Sequence, residues 1–290
     1  MRNISAQSTH NFVFTDVVEA EGLETALLDI TDSDAVNRLV DEKNIDFIVN
    51  CAAYTNVDKA ETDEAFCRLL NAQAPCILAE AMRRVGGLLL HISTDYVFGG
   101  EAYNVPCRED QQGTPTGVYG QTKLEGEQAI MGAGCDYVIL RTAWLYSEYG
   151  RNFVKTMLEL TAMRPQLKVV FDQAGTPTYA LDLARAIATI LEKACALGKD
   201  GRRAICGIYH YSNEGVCSWY DFAAAIMQEA GLSCRVLPCT SDEYAAAHPE
   251  SARRPAWSAL ENRMLRCTVG DSTRDWRDAL KDFFANWNGE

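Results

Sequence analysis

Apolar residues in this chain fall into short unbroken runs separated by stretches with a helical rhythm. Asp46–Asn50 (DFIVN), Leu88–Ser93 (LLLHIS) and Asp136–Thr142 (DYVILRT) read as strands, and Asn11–Asp16 (NFVFTD) as a shorter one. Between them, Asp32–Asn44 gathers Ala35, Val36, Leu39 and Val40 on one helical face. Asp63–Val85 does the same with Phe66, Leu69, Leu70, Ile77, Leu78 and Met82, and Tyr119–Met131 is a further predicted helix. Strands that are apolar on both faces and alternate with helices form a parallel sheet covered on both sides. The pattern therefore predicts an α/β fold with a doubly wound sheet.

After Tyr146 the rhythm loosens. Helices are expected over Asn152–Met163, Ala180–Ala196 and Ser218–Ala230, and strands over Lys168–Asp172 and Gly207–Ser212. An aromatic-rich tail with Trp257, Trp276, Phe283, Phe284 and Trp287 completes the chain. No internal repeat or low-complexity linker divides these parts, so a second, smaller lobe is expected to grow out of the first.

Composition narrows the class. With 290 residues, 48% of them hydrophobic and 23% charged, the chain can bury a large core, which excludes disordered, fibrous and disulfide-stapled miniproteins. A net charge of −13, with no basic run, argues against a nucleic-acid partner. Apolar stretches such as Gly86–Leu90 are too short to span a bilayer, and no basic region followed by an apolar core opens the chain. No membrane contact and a cytoplasmic location are expected. The 11 cysteines contain no C-x-x-C, and Cys51, Cys67, Cys76, Cys206 and Cys267 sit within apolar patterns. They read as reduced core thiols, not as a zinc site or a redox pair.

A doubly wound nucleotide-binding sheet opens with a strand and a glycine-rich turn that holds a pyrophosphate at a helix N-terminus. Here the first glycine is Gly22, and Met1–Thr9 reads as the end of a helix leading into Asn11–Asp16. Asp16 ends that strand, as does the acidic residue that meets a ribose hydroxyl about 20 residues after such a turn. The expectation is that Met1 is an internal methionine, and that a first strand and a G-x-x-G-x-x-G-type turn belong upstream.

Tyr119-Gly-Gln-Thr-Lys123 places a phenol and an ammonium on one face near the start of a helix. A cation within about 4–6 Å favours phenolate and brings a group titrating near 10 toward a useful acid. A single Y-x-x-x-K is also compatible with a surface pair. Upstream, His91–Phe98 (HISTDYVF) runs from a buried strand into hydroxyl and carboxylate groups, and Asn50–Thr55 (NCAAYT) ends another strand in small residues that let a flat ring approach. Asp29-Ile30 stands near the adenine side of the same edge. Ligands bind at the carboxyl ends of parallel strands, and these strand ends converge with the tyrosine-lysine pair.

These segments carry a resemblance. N-C-A-A-Y-T-x-V-D-K-A-E (Asn50–Glu61), I-S-T-D-Y-V-F (Ile92–Phe98), V-Y-G-Q-T-K-L-x-G-E (Val118–Glu127), R-T-A-W-L-Y (Arg141–Tyr146) and A-R-R-P (Ala252–Pro255) resemble the dTDP-4-dehydrorhamnose reductase family, a branch of the extended short-chain dehydrogenases/reductases. The match runs in order through nearly the whole chain. It implies a Rossmann-type fold and reduction of the 4-keto group of dTDP-4-dehydro-β-L-rhamnose by NADPH or NADH, giving dTDP-L-rhamnose for polysaccharide biosynthesis. On it, Tyr119 is the proton donor, Lys123 holds the nicotinamide ribose and lowers the phenol's pKa, and Thr94 tunes the donor. Thr94 and Asp95 contact the sugar nucleotide, and Trp144 packs on the substrate. Asp16, Val17, Asp29, Ile30, Ala53, Tyr54 and Thr55 line the cofactor together with Tyr119 and Lys123. Residues 1–146 with about 165–212 then form the dinucleotide-binding domain, and about 147–164 with 213–290 the substrate-binding lobe.

No metal is needed for the chemical step. Some family members are described with magnesium at a dimer contact; no metal site is assigned here, and a homodimer is left open. His91 and His210 read as packed strand residues, and Arg253 and Arg254 as either solvated surface or a diphosphate clamp. The chain departs from the family pattern in its pyrophosphate-binding glycines, so poor cofactor binding is expected of the 290-residue product. Asp16 would repel a 2′-phosphate and points to NADH, whereas family members also use NADPH. Two rivals remain: a reductase or epimerase acting on another deoxysugar nucleotide, and an NADP-binding regulatory subunit like that of methionine adenosyltransferase.

Overall fold

Burial of the central strands on both faces decides the architecture of the chain, seen in a computed structural model that describes residues 1–5, 8, 10–19, 24–101, 103–270 and 273–287. The predicted helix end at Met1–Thr9 contains α1 (Arg2–Ser5); residues 6, 7 and 9 of it, like Gly22, lie outside the described part. β1 (Thr15–Asp16) pairs in parallel with β2 (Ala26–Leu27) over two residues. The predicted strand from Asn11 is thus confined to its end, because β2 offers a ladder only to Thr15 and Asp16.

The central sheet holds β3 (Phe47–Asn50), β4 (Leu88–Thr94), β5 (Asp136–Thr142) and, from later in the chain, Gly207–His210. Its order runs from Gly207–His210 through β5 and β4 to β3, all parallel, with β3 on the outside. Leu88, Leu90, Val138 and Leu140 face one layer, and Leu89 and Ile139 the other. The second layer contains α2 (Ser33–Glu42), capped by Asp32, which supplies Val36 and Val40. After the single turn α3 (Val57–Ala60), the predicted helix Asp63–Val85 appears as α4 (Glu64–Arg68), a π turn at Leu69–Gln73 and α5 (Ala74–Val85). A π turn inserts a residue and rotates the buried face. Phe66, expected inside, is 48% exposed, while Cys67 and Asn71 turn inward. α6 (Val118–Ala133) closes this layer with Ile130.

Beyond β6 (Leu145–Tyr146), α7 (Phe153–Met163) follows its Asn152 cap, and β7 (Gln166–Val170) lies two residues earlier than expected. The short strands β8 (Ala174–Gly175) and β9 (Thr178–Tyr179) lead into α8 (Ala180–Gly201), whose Leu183, Ile187 and Ile190 cover the other sheet face. β10 (Gly207–His210) completes the central sheet, and β11 (Cys217–Ser218) opens α9 (Trp219–Glu229) through a capping box at Ser218. β12 (Arg235–Cys239), hidden from periodicity by Pro238, pairs in parallel with β7. Gln166–Val170 is therefore joined to β12, while α8 and β10 belong to the central sheet. α10 (Ser241–Ala247), α11 (Arg263–Val269) and α12 (Trp276–Asn286) finish the chain.

A separate core joins Met157, Leu167, Phe222, Trp276 and Phe283 from α7, β7, α9 and α12. Two cysteines depart from the core reading: Cys51 and Cys267 are exposed because their strand-end and short-helix positions lack a covering layer. No helix among the described residues is long and apolar enough to cross a membrane.

Candidate active site

α6 is fixed from outside before it presents its chemistry. Glu61 accepts a hydrogen bond from the Val118 backbone N–H at 2.9 Å, doing for α6 what a local cap would do. Two glycines then permit close docking: a Cβ on Gly120 would meet the Tyr96 carbonyl oxygen, and one on Gly126 that of Asn71. Tyr119 consequently meets the Tyr96 ring edge-on, centroids 5.4 Å apart.

Thr94 ends β4 directly opposite. Its hydroxyl accepts from the Tyr96 N–H at 3.2 Å, donates to Asp95 Oδ1 at 3.1 Å and acts on the Tyr119 phenol beside it. Burial pushes the Tyr119 phenol up to about 12, with Thr94 pulling the other way and the Asp95 charge adding to the rise. The net displacement is upward because desolvation outweighs the remaining influences. Burial also pushes the Asp95 carboxyl up to about 6, against hydrogen bonds from Ser258 and Thr94.

Lys123 is 2% exposed and lies against β4. Its Nζ donates to the Ile92 carbonyl at 2.7 Å and stands 3.1 Å from His91 Nε2. Burial pulls this ammonium down to about 8, the Glu127 charge one turn on opposing the shift. Glu127 is gripped by Arg141 of β5, Nε to Oε1 at 2.9 Å and Nη2 to Oε2 at 2.6 Å, and Ser93 donates to Oε1 at 2.5 Å.

The residues expected along a cofactor are spread over three strand ends. Asp16 Oδ1 accepts from the Val17 N–H at 2.7 Å and Val17 is 61% exposed. Asp29 Oδ1 accepts from the Thr31 hydroxyl at 2.7 Å and its N–H at 2.9 Å, which together hold its carboxyl below the usual range; Ile30 follows, half-buried. After β3, Cys51 and Ala52 are open, Ala53 half-buried and Thr55 exposed, whereas Tyr54 is buried. Asn71 holds that loop in a two-bond clamp, accepting from the Tyr54 N–H at 2.9 Å and donating to its carbonyl at 3.1 Å. The π turn is what aims Asn71 there, so no helical reading of the sequence would have found it.

A cavity of about 1700 Å³ opens beside Tyr96. Arg253 and Arg254 line it together with Arg151, Arg164, Lys168 and Trp219, while Tyr119, Lys123, Thr94, Asp95 and Trp144 do not. Arg254 is held by Asp58 at 2.9 Å, and Asp58 also accepts from the Ala252 N–H at 2.8 Å. The motifs V-D-K-A-E and A-R-R-P thus meet through Asp58, and Glu61 of the former caps α6. Trp144 stands behind the cavity wall: its ring stacks on Trp219 at 3.5 Å and presses on Gly175, with a left-handed φ of 48° unusual for a tryptophan. Arg151, Arg164, Lys168 and Trp219 carried no signal in the sequence, since they belong to separate elements brought together only by the β7–β12 pairing and α9. Among the described residues no group of three or more His, Cys, Asp and Glu side chains could hold a metal ion.

Residues 9–288 match the RmlD substrate binding domain family. A dTDP-4-dehydrorhamnose reductase of Mycolicibacterium smegmatis is 40% identical over 280 residues, covering 94% of this chain and 81% of that protein. A Streptomyces antibioticus protein, named "Probable dTDP-4,6-dihydroxy-2-methyloxan-3-one 4-ketoreductase", is 44% identical over 260 residues, covering 89% and 83%. The crystal structure of a Bacillus anthracis dTDP-4-dehydrorhamnose reductase in complex with NADP superposes with a TM-score of 0.81 at 36% identity, covering 92% of each chain.

Proposed function

The chain belongs to the RmlD substrate binding domain family, and on that premise we propose that it is a nicotinamide-dependent oxidoreductase reducing the 4-keto group of dTDP-4-dehydro-β-L-rhamnose to give dTDP-L-rhamnose. The observation that carries this reading is the convergence of Tyr119 from α6 on Thr94–Tyr96 at the carboxyl end of β4, beside a cavity of about 1700 Å³ rimmed by arginines.

The residues present fit a nicotinamide ribonucleoside. Cys51, Ala52 and Ala53 are small residues following β3, where a flat ring could approach, and Tyr119 and Lys123 on α6 would supply a hydroxyl and an amine. NADPH or NADH, when bound, supplies the hydride. Tyr119 holds its proton firmly at neutral pH and releases it to the sugar alkoxide, a stronger base than phenolate. Thr94 orients that phenol, and Asp95 beside it receives the sugar. Lys123 would hold the ribose hydroxyls, and Asp16, Val17, Asp29, Ile30, Ala53, Tyr54 and Thr55 the rest of the cofactor. Arg253 and Arg254 would meet the diphosphate of the substrate, with Asp58 fixing the guanidinium of Arg254.

The test is oxidation of NADPH and NADH by the purified protein in the presence of the ketosugar, followed at 340 nm, a standard absorbance of the reduced ring. Sugar-dependent oxidation is expected, with Tyr119→Phe lowering kcat by about 10²–10⁴ while leaving cofactor binding nearly intact. A Tyr119→Phe variant with normal turnover would remove the proposed acid. Oxidation supported only by a different dTDP-ketosugar, such as that of the Streptomyces relative, would move the substrate and keep the chemistry.

A further inference from the structure

The buried face of β4 carries a titratable group to which the reading above gives no task. His91 is fully buried between Asn50 of β3 and Lys123 of α6: Asn50 Nδ2 is 3.0 Å from His91 Nδ1, and Lys123 Nζ is 3.1 Å from His91 Nε2. The sequence suggested only a packed strand residue.

Hydrogen-bond polarity along this row is set at its far end. The Ala52 backbone N–H donates to Asn50 Oδ1 at 3.1 Å, so turning the amide over would place two donors against each other. Asn50 therefore presents its NH2 group to His91, and Nδ1 has to accept. The imidazole is neutral, since burial holds it well below its ordinary pKa. A neutral ring that accepts at Nδ1 carries its proton on Nε2. That N–H points at Lys123 and needs an acceptor. An ammonium has none, whereas an uncharged amine offers one lone pair and can still donate to Ile92 O at 2.7 Å.

We propose that His91 is a positioning residue for the Tyr119–Lys123 pair: through the Asn50–His91–Lys123 row it favours the uncharged amine of the lysine at the end of β4, and Lys123 holds its proton more tightly on leaving that station. The inference rests on the reductase reading and deepens it. No bond changes except that the amine takes one proton from solvent. Besides His91, the titratable groups that act on Lys123 are Glu127 on its own helix, Cys51 after β3 and Cys67 on α4, all of which favour the charged form. His91 and burial work against them. A hydroxyl-bearing ribose that draws Lys123 outward would then be bound with proton uptake.

Two readouts on the whole protein, without substrate or cofactor, test this. Long-range proton-nitrogen correlation of the imidazoles should find His91 protonated on Nε2; protonation on Nδ1 overturns the proposal. A titration of ¹³C-labelled lysine side chains, with the Lys123 signal identified by its loss in Lys123→Arg, should show deprotonation near pH 8. In His91→Asn or His91→Gln, whose amide oxygen can accept from an ammonium, the proton should be held at least tenfold more tightly. The alkaline limb of the kcat/KM profile should move up with it, a displacement that mere loosening of the core would not cause. Unchanged Lys123 titration in a folded variant overturns the proposal, and if neither variant folds the tautomer in the unaltered protein decides. Because the tautomer and the lysine titration are read without the ketosugar, failure of the reductase reading and failure of the His91 inference are separately visible.

Discussion

Replacing Glu127 by glutamine tests the least replaceable contact beneath the site. Glu127 is 0% and Arg141 3% exposed, and the two are joined by a two-pronged ion pair with Ser93 as a third partner. Glu127→Gln preserves the shape but turns one amide donor toward the guanidinium, which stays buried without a countercharge. Breaking such a pair from one side costs about 3–5 kcal/mol. An unfolding entropy of about 2.1 cal/mol/K per residue becomes about 0.6 kcal/mol/K for 290 residues, so Tm should fall by about 5–8 °C. Differential scanning calorimetry at one protein concentration measures this directly. The double variant Glu127→Leu/Arg141→Met removes both charges and should be well short of the sum of the single losses, because no ion is left stranded. Glu127 also supplies the leading charge that keeps a proton on Lys123, so Glu127→Gln should shift the Lys123 titration below about 8. A Tm within about 1 °C of the parent, or strict additivity of the two single losses, would refute the account.

Two further outcomes follow from the same geometry. The Asp95 carboxyl titrates near 3.8 when unfolded and near 6 in the fold, so the native state binds the extra proton between those values and stability falls as pH rises through them, the cost being complete above about 6. Asp95→Asn should therefore stabilise by up to about 3 kcal/mol at pH 7.5 and by nothing at pH 3.5, at the expense of turnover; equal denaturation midpoints for parent and variant at pH 7.5 would contradict this. Gly175→Ala would put a Cβ 2.6 Å from Trp144 Cε2, forcing the Trp144–Trp219 stack to shift. A loss of about 1–3 kcal/mol and a raised KM for the sugar nucleotide, with little change for the cofactor, are expected from urea unfolding and steady-state kinetics.

Much of the architecture was legible in the order of residues, and the reason is period. Leu88–Leu90 and Val138–Leu140 are apolar at successive positions, which only a strand covered on both faces requires, and the helices between them repeat at 3.6. The placement of Tyr119 and Lys123 four residues apart on one helix, and the polar ends of β3 and β4, were equally visible, because neighbours on one helix or at one strand end are placed by local geometry alone. Periodicity failed where the backbone broke its period or where a partner strand came from far away. The π turn at Leu69–Gln73 exposed Phe66 and turned Asn71 onto Tyr54, and β12 was concealed by Pro238 until β7 was there to pair with it.

What tertiary structure alone decided is the electrostatic state of the site and its walls. From sequence, Lys123 is a cation beside a phenol; packed against β4 it meets His91 and a carbonyl, and burial raises the phenol. Asp58 and Glu61 are two acids on one turn until the fold gives them Arg254 and the N-terminus of α6. Fold class rests on which residues are apolar, which a chain carries in its own order. Proton affinity depends on which groups lose water together, and that is settled only when distant elements pack.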